Sequence, residues 1–161
     1  MSDANYQVLY VFVNTDLPSM TPGKMAAHSG HAANAFVFKN YIVPNQAAQK
    51  VSDSVFGWMS QTRFGFGTQI NLKAPWHEVV MLVNELENSS IAFAEMIFDP
   101  TYPYIVDREV VKLIDKTLHT SSPVQLDNGN YLCCRKEATA AYIFGDKRAL
   151  EVYVGKYPLH P

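Results

Sequence analysis

The sequence predicts an α/β fold: a three-layer α/β/α sandwich on a mixed central sheet of about four strands, with an inserted hairpin. Three observations predict it. Residues 7–13 (QVLYVFV) form a near-continuous run of valine, leucine and aromatic residues, the signature of a strand buried on both faces. A polar turn and an alanine-rich helical segment follow, in the strand–turn–helix order that opens such folds. Hydrophobic residues make up 48% of the 161 and charged residues 17%, enough apolar material for one core and too little charge for a disordered chain.

The elements follow in order. After Asn14-Thr15-Asp16-Leu17-Pro18-Ser19, Thr21 is a fitting N-cap and Pro22 takes the first helical position, so a helix is predicted to about residue 40. Pro44 breaks the chain, and residues 45–61 read as a second helix. A glycine-rich connector (RFGFG) leads into a strand over 68–73. Pro75 starts a third helix to about residue 87, with Val79, Val80, Leu82, Val83 and Leu86 on its apolar face. Residues 91–98 read as a third strand ending at Asp99-Pro100. Residues 107–118 carry helical spacing through Val110, Val111, Leu113, Ile114 and Leu118. Asp127-Asn128-Gly129 signals a hairpin turn within 124–135. A last core strand over 138–144 precedes a short helix over 147–154, stopped at Gly155. These elements make a single domain over residues 1–161, with an insertion at roughly 107–136.

Composition narrows the function. The net charge is -2 and the pI about 6.2, against the basic balance that a large nucleic-acid footprint uses to displace counterions. A small local basic patch remains compatible with these values. No apolar run approaches the roughly 18 residues of a membrane span. Met1-Ser2-Asp3-Ala4-Asn5 carries an acid and lacks the basic-then-apolar order of a secretory signal. Cys133 and Cys134 are adjacent and unaccompanied, which excludes a disulfide framework or a four-ligand zinc cluster. The expectation is a cytoplasmic protein with no membrane partner.

The stretch from Thr15 to Ala33 is the richest in chemistry. Lys24, His28 and His31 fall on one helix face at i, i+4 and i+7. Lys24 sits in the first turn, where free N–H groups and the helix dipole favour an anion. A phosphate or carboxylate partner would reconcile a cation with that place; otherwise the side chain bends into water. His28 and His31 have the spacing of a metal pair, but no third ligand lies near in sequence, and hydrogen-bonding pocket or core roles are expected instead. Arg63-Phe64-Gly65-Phe66 and Tyr102-Pro103-Tyr104 interleave aromatics with a base or a proline, a pattern that stacking on unpaired nucleotides uses and that ordinary packing also produces. Neither a nucleophile elbow nor a glycine-rich phosphate loop occurs.

Thr15-Asp16-Leu17, Met20, Gly23-Lys24-Met25-Ala26-Ala27 and His31-Ala32 together resemble the opening motif of the type 2 peptidyl-tRNA hydrolase family, with His28 where the family usually has Gln. Asp99 matches the acid of the family's second motif. Ala-Gly-Arg-Thr does not follow it here, and the family's threonine falls on Pro103. A second family threonine aligns with Ala140, while Thr139, one residue away, would face the opposite side of its strand. The similarity covers roughly residues 6–41, 58–106 and 137–160. It implies hydrolysis of the ester joining a peptide to tRNA, with Lys24 stabilising the oxyanion and Asp99 positioning or activating water. His28, His31, Gly23 and Thr139 would line the substrate site, and no metal or organic cofactor is implied. The partners implied are tRNA or peptidyl-tRNA. Independently of the resemblance, an exposed edge of the hairpin over 124–135 is a candidate contact for a homodimer. The competing reading is a non-catalytic member of the same fold that binds a protein or nucleotide.

Overall fold

The computed structural model describes residues 6–42, 49–114 and 121–160. Strand β1 (Gln7–Val13) pairs in parallel with β2 (Gln69–Leu72) and antiparallel with β5 (Tyr131–Asp146), and β5 pairs antiparallel with β3 (Ala92–Val106). The order β2-β1-β5-β3 leaves β2 and β3 at the edges. β4 (Val124–Gln125) pairs with the start of β5, on the edge that β1 takes further along. This is a mixed five-stranded sheet.

Two cores explain why β1 reads as an unbroken apolar run. Val8, Tyr10 and Phe12 point to one face and Leu9, Val11 and Val13 to the other, none more than 7% exposed. The first face is covered by α3 (Trp76–Leu86), through Val79, Leu82, Val83 and Leu86, and by α5 (Lys147–Val154), through Leu150 and Val154. The second is covered by α1 (Pro22–Val37), through Ala32 and Phe36, and by α2 (Gln49–Met59), through Val55 and Trp58. Phe36, Trp58 and Phe144 meet ring to ring at 4.6–5.9 Å, and full burial of one such side chain stabilises by roughly 1.5–3 kcal/mol. Gly67 is required here by proximity: a Cβ would lie 2.3 Å from the Trp58 ring.

Helix α1 begins as its sequence predicts, with the Thr21 hydroxyl accepting from the Lys24 backbone N–H and Pro22 in the first turn. It continues as a π-helical turn over Phe38–Ile42. Asn40 Nδ2 there donates to the Phe36 carbonyl (2.9 Å) and to the Tyr142 hydroxyl (3.3 Å). The predicted second helix ends at Met59, two residues before the expected end, and residues 43–48 lie outside the described ones.

The third strand does not end at Asp99-Pro100. It runs on to Val106, and β5 absorbs both the second half of the predicted hairpin and the last core strand. Proline is tolerated because β3 is an edge strand, where a missing N–H costs no ladder bond. The predicted turn is present as a five-residue connection, with Gly129 at φ 82° and its N–H donating to the Leu126 carbonyl. Of the helix predicted over 107–118, α4 spans Arg108–Leu113 with Ile114 as its C-cap, and its apolar side chains are not buried: Leu113 is 85% exposed. Leu118 lies outside the described residues. No helix among the described residues is long and apolar enough to cross a membrane.

Candidate functional site

The extended halves of β3 and β5 form an arm beyond β1, and two irregularities set which way its side chains face. Ile97 pairs with Ala140 but Phe98 with Ala138, which leaves Thr139 as an extra residue on β5. Asp99 pairs with Glu137 but Tyr102 with Arg135, which leaves one extra residue on β3. Each bulge resets the alternation of faces. The second is held by the Asp99 carboxylate, whose Oδ1 accepts from the Thr101 N–H (2.8 Å) and hydroxyl (3.3 Å). Its effect is to turn Tyr102 to the α1 side of the sheet, where it is 1% exposed. Thr139, the extra residue of the first bulge, is fully buried, is not among the residues that line the cavity beside Lys24, and has a hydroxyl with no partner among the described residues.

Lys24 reaches this arm from the first turn of α1. Its Nζ donates to the Ser19 hydroxyl oxygen (3.2 Å) and to the Pro103 carbonyl (3.3 Å), and it lies 4.8 Å from the centre of the Tyr102 ring. Ser19 Oγ donates to the same Pro103 carbonyl (2.8 Å) and sits 3.1 Å from the Tyr102 hydroxyl. The Ser19 turn is fixed by its neighbours. The buried Asn14 side chain donates to the Ala138 carbonyl and accepts from the Asp16 N–H, and Asp16 Oδ2 accepts from the Trp76 N–H. Lys24 therefore does not bend into water, and its partners are neutral oxygens that leave its charge uncompensated among the described residues.

A cavity of about 540 Å³ opens between this ammonium and the arm. Its walls include Leu17, Pro18, Tyr104, Ile105 and Leu132, together with Arg135 and Glu137. Arg135 lies over the Tyr104 ring at 5.0 Å and is ion-paired with Glu137, so its charge is met within the arm. The volume falls in the range of small-ligand sites, and so does the mix of apolar wall with few polar groups.

His28 lies one helical turn after Lys24 and is 5% exposed. Its ring is 5.7 Å from Tyr102 and 5.3 Å from His31, and Nδ1 has no partner among the described residues. Burial pushes the imidazole below its ordinary value; the Asp99 charge opposes this, and His31 and Lys24 add to it. The Asp99 and Lys24 charges thus act on the His28 ring in opposite directions; they form no ion pair with each other, and Asp99 is not among the residues that line the cavity.

The other predicted residues are placed differently. His31 is exposed, so it flanks His28 and does not line the cavity; Gly23 is exposed, with nothing within 4 Å of where a Cβ would stand. Among the described residues no third ligand joins the two histidines. Arg63 lies over the Phe64 ring and Phe64 stacks with Phe66 at 6.1 Å, on the connector entering β2. Since β2 runs parallel to β1, that pair stands at the opposite end of the sheet from Lys24. Sequence alone does not single out Ser19 or Arg135. The one signal for the Pro103 carbonyl is a proline within a strand pattern, which marks an edge. No family model matches the chain, and no curated protein matches it.

Proposed function

We propose that the chain hydrolyses the ester bond joining a peptide to the terminal ribose of tRNA. The observation that carries this reading is Lys24: an ammonium held at a cavity by two neutral oxygens. Ester hydrolysis needs a fixed positive charge where the carbonyl oxygen turns negative, and a group that orients or deprotonates water. Lys24 supplies the first. Asp99 supplies the second through Oδ2, since Oδ1 is engaged by Thr101. Water adds to the carbonyl carbon, the bond to the ribose oxygen breaks, and the proton taken from water passes to that oxygen. The resemblance of Gly23-Lys24-Met25-Ala26-Ala27 and His31-Ala32 to the type 2 peptidyl-tRNA hydrolases supports the same reading.

A second reading, a non-catalytic binding protein of this fold, is favoured by one feature: Asp99 already serves as the clamp of the β3 bulge, and Pro103 brings no hydroxyl. Turnover of a peptidyl-tRNA by the purified protein separates the two. Lys24→Ala and Asp99→Asn are each expected to lower turnover by about 10²–10³ with the far-UV spectrum unchanged. Absence of turnover by the wild-type chain selects the binding reading. An Asp99→Asn variant that loses stability but keeps turnover would assign Asp99 to structure alone.

A further inference from the structure

The Pro103 carbonyl accepts from Lys24 and Ser19, so it points away from β5 and out of the sheet. In an antiparallel ladder, backbone groups two residues apart on one strand point the same way. Ile105 therefore directs its N–H and C=O outward at the open edge of β3, along the wall of the cavity that ends at Lys24. Three features now stand in one place: an uncompensated ammonium, an outward backbone donor and acceptor, and an apolar wall of Leu17, Pro18 and Leu132. A carboxylate fits the first, an amide the second and a bulky hydrocarbon side chain the third.

We propose that this cavity binds the C-terminal residue of an N-acylated peptide. The carboxylate is the counter-ion of Lys24, the acyl amide pairs with the Ile105 backbone, and a large apolar side chain lies against Leu17, Pro18 and Leu132. The proposal rests on the hydrolase reading for the source of this ligand, which is the peptide released from tRNA. It adds a preference that the reading does not contain: large apolar residues over glycine at the peptide's C-terminus. Of the selecting walls, Leu17 and Pro18 belong to the turn before α1, and Leu132 belongs to the arm.

Isothermal titration of the full chain with N-acetyl-phenylalanine tests it, against N-acetyl-phenylalaninamide, which lacks the charge, and N-acetyl-glycine, which lacks the side chain. Each control is expected to bind about tenfold or more weakly. Lys24→Met should abolish the difference between acid and amide, and Leu132→Gln should reduce the difference between phenylalanine and glycine. Equal affinities of the three probes for the wild-type chain, or no binding of N-acetyl-phenylalanine, would overturn the proposal. The comparison needs no variant to fold. Charge- and side-chain-dependent binding without any turnover of peptidyl-tRNA sustains the cavity and defeats the hydrolase reading. Turnover that is indifferent to the C-terminal residue, without probe binding, does the reverse.

Discussion

Lys24 and His28 are separated by one turn of α1 and have opposite fates. Lys24 reaches across to an oxygen pair, whereas His28 turns inward, where burial disfavours its charged form. The direction of the His28 shift fixes a pH dependence. Its folded value lies below the ordinary 6.5, so the unfolded chain binds that proton more readily than the folded chain. The stability it allows is fully present above the ordinary value and is lost as pH falls through the folded value. The urea midpoint should therefore drop between pH 7.5 and pH 5.5, and drop less in His28→Gln. Equal drops in both proteins would place the acid sensitivity elsewhere.

The β3 and β5 side of the cavity is built by the paired arms themselves, not by residues 107–130 between them. Val106 pairs with Tyr131, so the two strands are already in register where the inserted stretch leaves and returns. Helix α4 buries no residue and both residues of β4 are exposed. Replacing residues 107–130 by Asn-Gly should therefore preserve the fold, because a two-residue turn of that kind joins antiparallel neighbours directly. Shortening the closure favours folding by about 2 kcal/mol, offset by the lost β4 pairing. The expected outcome is a melting temperature equal to or above that of the parent, read by circular dichroism. A loss of the cooperative transition would show that the segment supports the arm. The helical spacing of residues 107–118 was legible in the sequence and the brevity of α4 was not, since its apolar residues meet no layer of the fold.

At the scale of the molecule, one sheet is shared by two cores, and β1 contributes alternate residues to each. Neither layer can be removed without exposing the other, so the chain should unfold as one unit. Its two tryptophans report on this directly, since Trp58 lies in the core under α1 and α2, and Trp76 packs against the core under α3 and α5. Urea transitions of Trp58→Phe and Trp76→Phe, followed by fluorescence, should each coincide with that variant's far-UV transition. Separate midpoints within either variant would show that one layer melts first. By itself the sequence determined what depends on neighbours along the chain: the buried run of β1, the Thr21-Pro22 start of α1, the apolar face of α3, the turn at Gly129, and Lys24 as a cation in a first turn. The tertiary structure alone decided where that cation goes. Its acceptor, the Pro103 carbonyl, lies 79 residues away. That carbonyl and the Tyr102 ring face Lys24 because two bulges shift the pairing of β3 with β5. A shift of one residue in cross-strand register reverses every face beyond it, and periodicity along a single strand carries no record of its partner's register.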